Sequence, residues 1–201
     1  SPGLLKGVKG IGWFIEEYGI AQISMNITDI RQTPLHIAFE ECCKSADRRG
    51  LRVTGSELVG LIPLEVMLNA GRYFLEKQER SIGVSEAELI KIAVKSMGLA
   101  EISPFDPQKK IIEYNIASAR NDQPLLAKNL REFADETASE SPPPGGGSIA
   151  AYVGALGASL ATMVANLSSH KKGWDARWQE FSEHAAEGQK MKDAFLRLVD
   201  E

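Results

Sequence analysis

Between Ser141 and Leu167 the chain reads SPPPGGGSIAAYVGALGASLATMVANL. Three prolines and three glycines come first, and residues 149 to 167 then pass without a charge. Prolines fix φ and remove backbone donors, while glycines admit conformations closed to other residues. Ser148 is placed as an N-cap, its side-chain oxygen accepting from a free amide of the first turn. The run from there to about Ser169 predicts a single helix, about 33 Å long at the usual rise per residue.

A helix of this kind has few destinations. Its length suffices to cross a bilayer, but Ala, Gly, Ser, Thr and Asn dominate it and drive insertion weakly. No membrane span is expected; enclosure within a helical assembly is. Gly154, Gly157, Ala158 and Ala161 would let neighbouring backbones approach closely. The loop before the helix points to chemistry. Gly145, Gly146 and Gly147 at a helix N-terminus offer free N–H groups and the positive end of a dipole to an anion. A flexible linker shares the GGGS pattern, but the proline brace before it and the unbroken helix after it favour amides facing a folded pocket.

With 201 residues the chain has room for one large domain or two small ones. Its 43 % hydrophobic and 25 % charged residues are those of an ordinary soluble globular protein. The net charge of −4 comes from the second half, and no basic stripe with interleaved aromatics is present, which argues against nucleic acid. Cys42 and Cys43 are adjacent within a predicted helix, a poor geometry for pairing with each other, and fit a reducing compartment. No signal peptide is visible, so a cytoplasmic location is expected. A Ser-Pro start and a helical pattern still running at Glu201 predict a piece of something longer.

In chain order, residues 8–16 and 20–28 read as a hairpin. Ala21, Ile23, Met25 and Ile27 alternate with Gln22, Ser24, Asn26 and Thr28, giving one dry face, and Glu17-Tyr18-Gly19 supplies the turn. Thr33 and Pro34 are expected as N-cap and first residue of a helix ended by Gly50. The apolar run Leu51 to Ile62 predicts a third strand, bent at Gly55 and Gly60. Pro63 opens a second helix. Ser85 and Glu88 form a capping box for a third, closed by Gly98. This is the pattern of an α+β, ferredoxin-like sheet layer covered by helices. Prolines 104, 107 and 124 punctuate a change of composition around a short patterned piece at Lys110 to Ile116. Beyond it everything reads helical: one face carries Leu126, Leu130, Phe133, Ala134 and Thr137, and residues 175–201 place Trp178, Phe181, Ala185, Gly188, Met191, Phe195 and Leu198 at helical spacing. The expected division is 1–103 α+β, 104–123 linker and 124–201 all-α.

The chemistry-bearing residues each have a plainer reading. Asn26 on its strand's polar face is more often only solvated. His36 sits where the helix dipole disfavours its charged form; a surface or capping role comes first, a neutral catalytic one second. Ser56 and Glu57 lie between two strand glycines, where a carboxylate facing a cleft can hold an amine or amidine, though such a Glu is more often simply exposed. His170 and His184 have no partners at metal spacing, so no metal is expected. Asp200, on a helix with a strong apolar face, ordinarily faces solvent.

The segments GIGWFIEEYGIAQISMNITD, TPLHIAFEE and VTGSELVGLIPLEVML resemble the C-terminal subdomain of glutamate formimidoyltransferase. SPPPGGGSIAAYVGALGASLATMVANL resembles the start of formimidoyltetrahydrofolate cyclodeaminase. The order and spacing are those of the bifunctional family of histidine breakdown, and nearly the whole chain is covered. The resemblance implies formimino transfer from N-formimino-glutamate to tetrahydrofolate, then ring closure to methenyltetrahydrofolate with release of ammonia. It implies polyglutamylated tetrahydrofolate as co-substrate, its anionic tail drawn to Gly145 to Ser148 and raising local concentration between sites.

The departures from the family pattern carry consequences. The family's transferase histidine and its folate-binding segment belong to an N-terminal subdomain absent here, and His36 does not inherit that role. The cyclodeaminase acid belongs to an Asp-x-Asp run, of which this sequence has Asp200 followed by Glu201. The remaining bundle helices are absent too, so the piece is expected to have little activity alone. The expected site residues are Asn26, Ser56 and Glu57 for the transferase, and Pro144, Gly145, Gly146, Gly147, Ser148 and Asp200 for the deaminase. Homo-oligomer formation through the 148–169 helix is expected. A non-catalytic interaction module built on that helix and a membrane-anchored protein are the alternatives.

Overall fold

A computed structural model describes residues 3–117 and 125–201. Its architecture is α+β followed by an all-α segment, as the sequence predicts. Strands β1 (Val8–Ile15) and β2 (Ile20–Ile27) pair antiparallel, from Val8 opposite Ile27 to Ile15 opposite Ile20. Gly19 takes φ of 63° in the four-residue connection, a value open to glycine at little cost. The base of the hairpin is tied to the following loop: Gly7 O accepts from the Thr28 amide at 2.7 Å, and Thr33 Oγ1 donates to Lys6 O at 2.6 Å. Thr33 is therefore not the cap of α1 (Leu35–Asp47); Pro34 stands at that position, and the hydroxyl is spent on Lys6.

Among the described residues the sheet has these two strands, and its dry face is uncovered, with Ile23 59 % exposed. The helices pack on one another and leave the sheet bare. The expected third strand, Leu51 to Ile62, runs extended without a ladder. A strand needs a neighbour to satisfy its amides, and the hairpin strands pair only with each other. Instead the Ser56 amide donates to Gly98 O, and the Ile62 amide to Lys110 O in an isolated bridge with Ile111.

Helices α2 (Leu64–Lys77) and α3 (Glu86–Ser96) form the main core with Met67, Ala70, Phe74, Leu89, Ile90 and Ala93. Gly71 permits their approach: a Cβ there would lie 2.3 Å from Leu89 O. Ser85 caps α3 by accepting from the Glu88 amide, while the Glu88 carboxylate pairs with Lys91 rather than closing a capping box. His36 is buried against Tyr73, ring centroids 4.5 Å apart, and is neither a surface residue nor a cap. Two short helices follow, α4 (Pro107–Lys110) and α5 (Ile112–Ala117). Ile111 between them is fully buried in the α2–α3 core, and Glu113 accepts from the Leu64 amide at 2.6 Å, setting a carboxylate at the N-terminus of α2. The stretch expected as linker thus packs against the first unit through Phe105, Ile111 and Tyr114; Gln123, Pro124 and the rest of 118–124 lie outside the described residues.

Helix α6 (Leu130–Thr137) begins at a complete capping box of Asn129 and Glu132. Leu126 precedes it, and Leu130 is 73 % exposed, so the face expected there is not continuous. Helix α7 (Gly146–Ser169) turns through a 3-10 segment (Asp175–Arg177) into α8 (Trp178–Asp200). The two run antiparallel in close contact. A Cβ on Gly188 would fall 2.1 Å from Thr162 Oγ1, and one on Gly154 would fall 3.0 Å from the Phe195 ring.

Enclosure of α7 is not what the structure shows. Ala151, Ala155, Thr162, Ala165 and Ser169 are buried on one side. Val153, Leu156, Leu160, Met163, Val164 and Leu167 are between 49 % and 67 % exposed on the other. One helix cannot cover both sides of another. By length and composition α7 is able to cross a membrane.

Candidate functional site

The antiparallel turn brings the start of α7 and the end of α8 to the same end of the helical pair. Pro144 is buried there, and Gly145 is the cap of α7 with ψ of −179°. The helix starts earlier than expected, so Gly146, Gly147 and Ser148 form its first turn and Ser148 is not the N-cap. Among the described residues no side chain caps this end, which leaves the first-turn amides and the dipole's positive end available to an anion. The three glycines face solvent, and a Cβ on any of them would meet nothing within 4 Å. The folded pocket expected around them is not formed by the described residues.

The approach to this loop is fastened. Glu136 takes a hydrogen bond from Ser141 and faces Lys128, which together hold its carboxyl below the usual carboxylate range. Phe133 meets Tyr152 with centroids 5.3 Å apart, beside the buried trio Leu125, Ala151 and Val199. Asp200 lies at the same end, half-buried. Its Oδ1 accepts from the Leu125 amide at 2.8 Å and its Oδ2 from the Leu126 amide at 3.3 Å. Both oxygens are engaged in fixing the chain to α8, which the reading of a plain solvent-side acid misses.

The three transferase-side residues are not joined. Asn26 is exposed on the hairpin opposite Lys9. Ser56 Oγ donates to Met97 O at 2.6 Å, and its amide donates to Gly98 O at 3.0 Å, so this serine anchors its segment to the end of α3. Glu57 is exposed and accepts from Ser103 Oγ at 3.3 Å. Among the described residues no hydrogen bond links Asn26 to either.

Burial pulls the His36 pKa below its ordinary value, with Glu40 opposing, which favours the neutral imidazole. Among the described residues no group of His, Cys, Asp and Glu side chains is placed to hold a metal. An open groove of about 590 Å³, lined by Thr162, Met163, Asn166, Leu167, His170 and Gln189 among others, lies toward the far end of α7. Twenty residues of helix, about 30 Å, separate Asn166 from Gly146.

Two family descriptions match. Residues 1–117 match the Formiminotransferase domain, and residues 129–201 match Formiminotransferase-cyclodeaminase. This chain belongs to the formiminotransferase-cyclodeaminase family. It is 43 % identical over 177 residues to the Formimidoyltransferase-cyclodeaminase of Dictyostelium discoideum, covering 88 % of this chain and 33 % of that protein. To the one of Mus musculus it is 42 % identical over 175 residues, 87 % of this chain and 32 % of that protein. The Glutamate formimidoyltransferase of Thermoplasma acidophilum is 36 % identical over 76 residues, 38 % of this chain and 25 % of that protein. The chain spans about a third of the length of the two bifunctional relatives. Both family matches fall on the units seen in the fold, with the glycine loop and Asp200 in the second.

Residues that sequence reasoning passed over stand where the units meet. Asn166 and Gln189 both donate to Gly83 O, at 2.7 and 3.2 Å. A lone carboxamide in an otherwise small and apolar helix was the available signal for Asn166.

Proposed function

We propose that this chain is part of a folate-dependent bifunctional enzyme of histidine degradation. Its first unit belongs to a transferase that moves a formimino group from N-formimino-glutamate to tetrahydrofolate. Its second belongs to a cyclodeaminase, a lyase that closes the ring to methenyltetrahydrofolate and releases ammonia, working in the cytoplasm without a metal. The observation that carries this reading is the uncapped α7 N-terminus, Gly145 to Ser148, within the unit that matches Formiminotransferase-cyclodeaminase. Free amides and the helix dipole suit the carboxylates of a polyglutamyl tail. Asp200, at the same end, is the proposed acid, and Pro144 holds the loop. Asn26, Ser56 and Glu57 are proposed to border the transferase cleft, with Ser56 positioning the segment that presents Glu57.

The test uses the full-length protein and tetrahydrofolate pentaglutamate in a calorimetric titration. Gly146→Val adds a side chain where nothing stands within 4 Å, so the fold tolerates it. Binding is expected to weaken about tenfold or more as the branched side chain crowds the amides. Unchanged affinity would remove the loop from the folate site.

A second reading rests on the exposed apolar face of α7. Val153, Leu156, Leu160, Val164 and Leu167 recur at a spacing of three and four, the pattern of a helix–helix seam. A homo-oligomer joined through this face is compatible with the enzyme reading, and by itself would suit a non-catalytic interaction module.

A further inference from the structure

The connection between α2 and α3 does more than reverse the chain. It leaves α2 through a tight turn in which Glu79 takes φ of 54° and the Arg80 amide donates to Leu75 O. Ser81 is buried, and its Oγ accepts from the Gly83 amide at 3.1 Å. Because α2 and α3 are pressed together at Gly71, this loop is held at both ends by a stiff pair of helices. Its position is therefore tied to that of the whole first unit.

The loop enters the groove between α7 and α8. The Ile82 amide donates to Ser182 Oγ at 3.0 Å, and Gly83 O accepts from Asn166 on α7 and Gln189 on α8. Gly83 lies so close to α8 that a Cβ would fall 2.2 Å from Ala185 Cβ and 2.4 Å from Ala185 C. Among the described residues, the hydrogen bonds that cross from 3–117 to 125–201 all end on Ile82 and Gly83. The Asn166 and Gln189 carboxamide oxygens are buried without a donor among the described residues. Leaving such atoms unpaired is costly, and what these two side chains hold is the one carbonyl of Gly83.

We propose that residues 81–83 form an interdomain latch, which seats the formiminotransferase unit on the α7–α8 pair and opens as a separable step. The partner surface is the cleft made by Asn166, Ser182, Ala185 and Gln189, and it accepts a turn whose residue of closest approach, Gly83, has no side chain. A bulkier residue at 83 would leave the backbone too far out for the two carboxamides to reach.

Hydrogen exchange in the 201-residue chain tests this, read at the Ile82 amide. Asn166 and Gln189 do not bond that amide, so their replacement affects it only if 81–83 is seated as a unit. In the double variant Asn166→Ala/Gln189→Ala, exchange at Ile82 is expected to rise about tenfold or more, with α2 and α3 core amides unchanged. Gly83→Ala is expected to do the same through overlap with Ala185; should that chain fail to fold, the carboxamide variant decides. Unchanged exchange at Ile82 in the double variant would show that the turn holds itself. Equal acceleration throughout α2 and α3 would show that the contact is part of the global fold and not a latch. Either result overturns the proposal.

Discussion

His36 stands in the first turn of α1 with its ring against Tyr73 and its Nδ1 buried without a partner. Desolvation lowers its pKa in the folded chain, whereas the unfolded imidazole titrates near 6.5. Between those values the unfolded state binds the extra proton, so stability rises with pH through that window. It is lost as pH falls from the unfolded value toward the folded one. The urea midpoint is therefore expected to drop between about pH 7 and about pH 5.5, before carboxylates protonate. His36→Phe keeps a ring on Tyr73 and should flatten that drop; an equal fall in the variant would assign it to other groups. Burial was not legible in the sequence, because a histidine at a helix start looks the same whether solvent or Tyr73 stands opposite. Gly19, Gly50 and Gly98 were legible, since each adopts the positive φ that its place at the end of a pattern requires. Ser56 and Asp200 could be named but not understood, because what they bond, Met97, Gly98, Leu125 and Leu126, lies 41 to 75 residues away.

Among the elements, the hairpin and the long helices could be read from local pattern, and the third strand could not. Alternation and turn chemistry specify β1 and β2 within their own residues. The 51–62 run has β-branched side chains, but a strand is defined by its neighbour, and among the described residues this run meets others only at isolated bonds such as Ser56 to Gly98 and Ile62 to Lys110, with Val59 left 87 % exposed and Leu61 59 %. The same lesson holds for α7. An uncharged run announces a helix yet leaves open how many sides are covered, and here α8 covers one. If the remaining face is a seam between copies, sedimentation equilibrium at micromolar concentration should give a multiple of 21.9 kDa. Leu160→Lys, which places a charge in the middle of that face, should reduce it to the single mass. A native chain already at the single mass would refute the seam. The start of α7 was misplaced by three residues, because Pro144 and Gly145 let the helix begin at Gly146, and a serine within the first turn resembles a cap.

For the whole molecule, two family segments fold as two units, and the fold class was readable from the order of patterns. The joint between them was not. Gly83 sits in a stretch with no distinctive composition, and its importance lies in the absence of a Cβ opposite Ala185, a fact about a residue far along the chain. The pocket expected at the glycine loop is likewise a property of packing: the described residues bring Asp200 and the uncapped amides to one end but leave that end open.

The claim on which the functional account turns is that those amides receive the carboxylates of a folate tail. Backbone amide shifts of the isotopically labelled chain, followed by NMR during titration with tetrahydrofolate pentaglutamate, address it directly. The account predicts saturable shifts at Gly146, Gly147 and Ser148, with the amides around Asn166 and Gln189, some 30 Å away, unmoved. Saturable binding that leaves residues 146–148 undisturbed, or no shift at millimolar ligand, would contradict it.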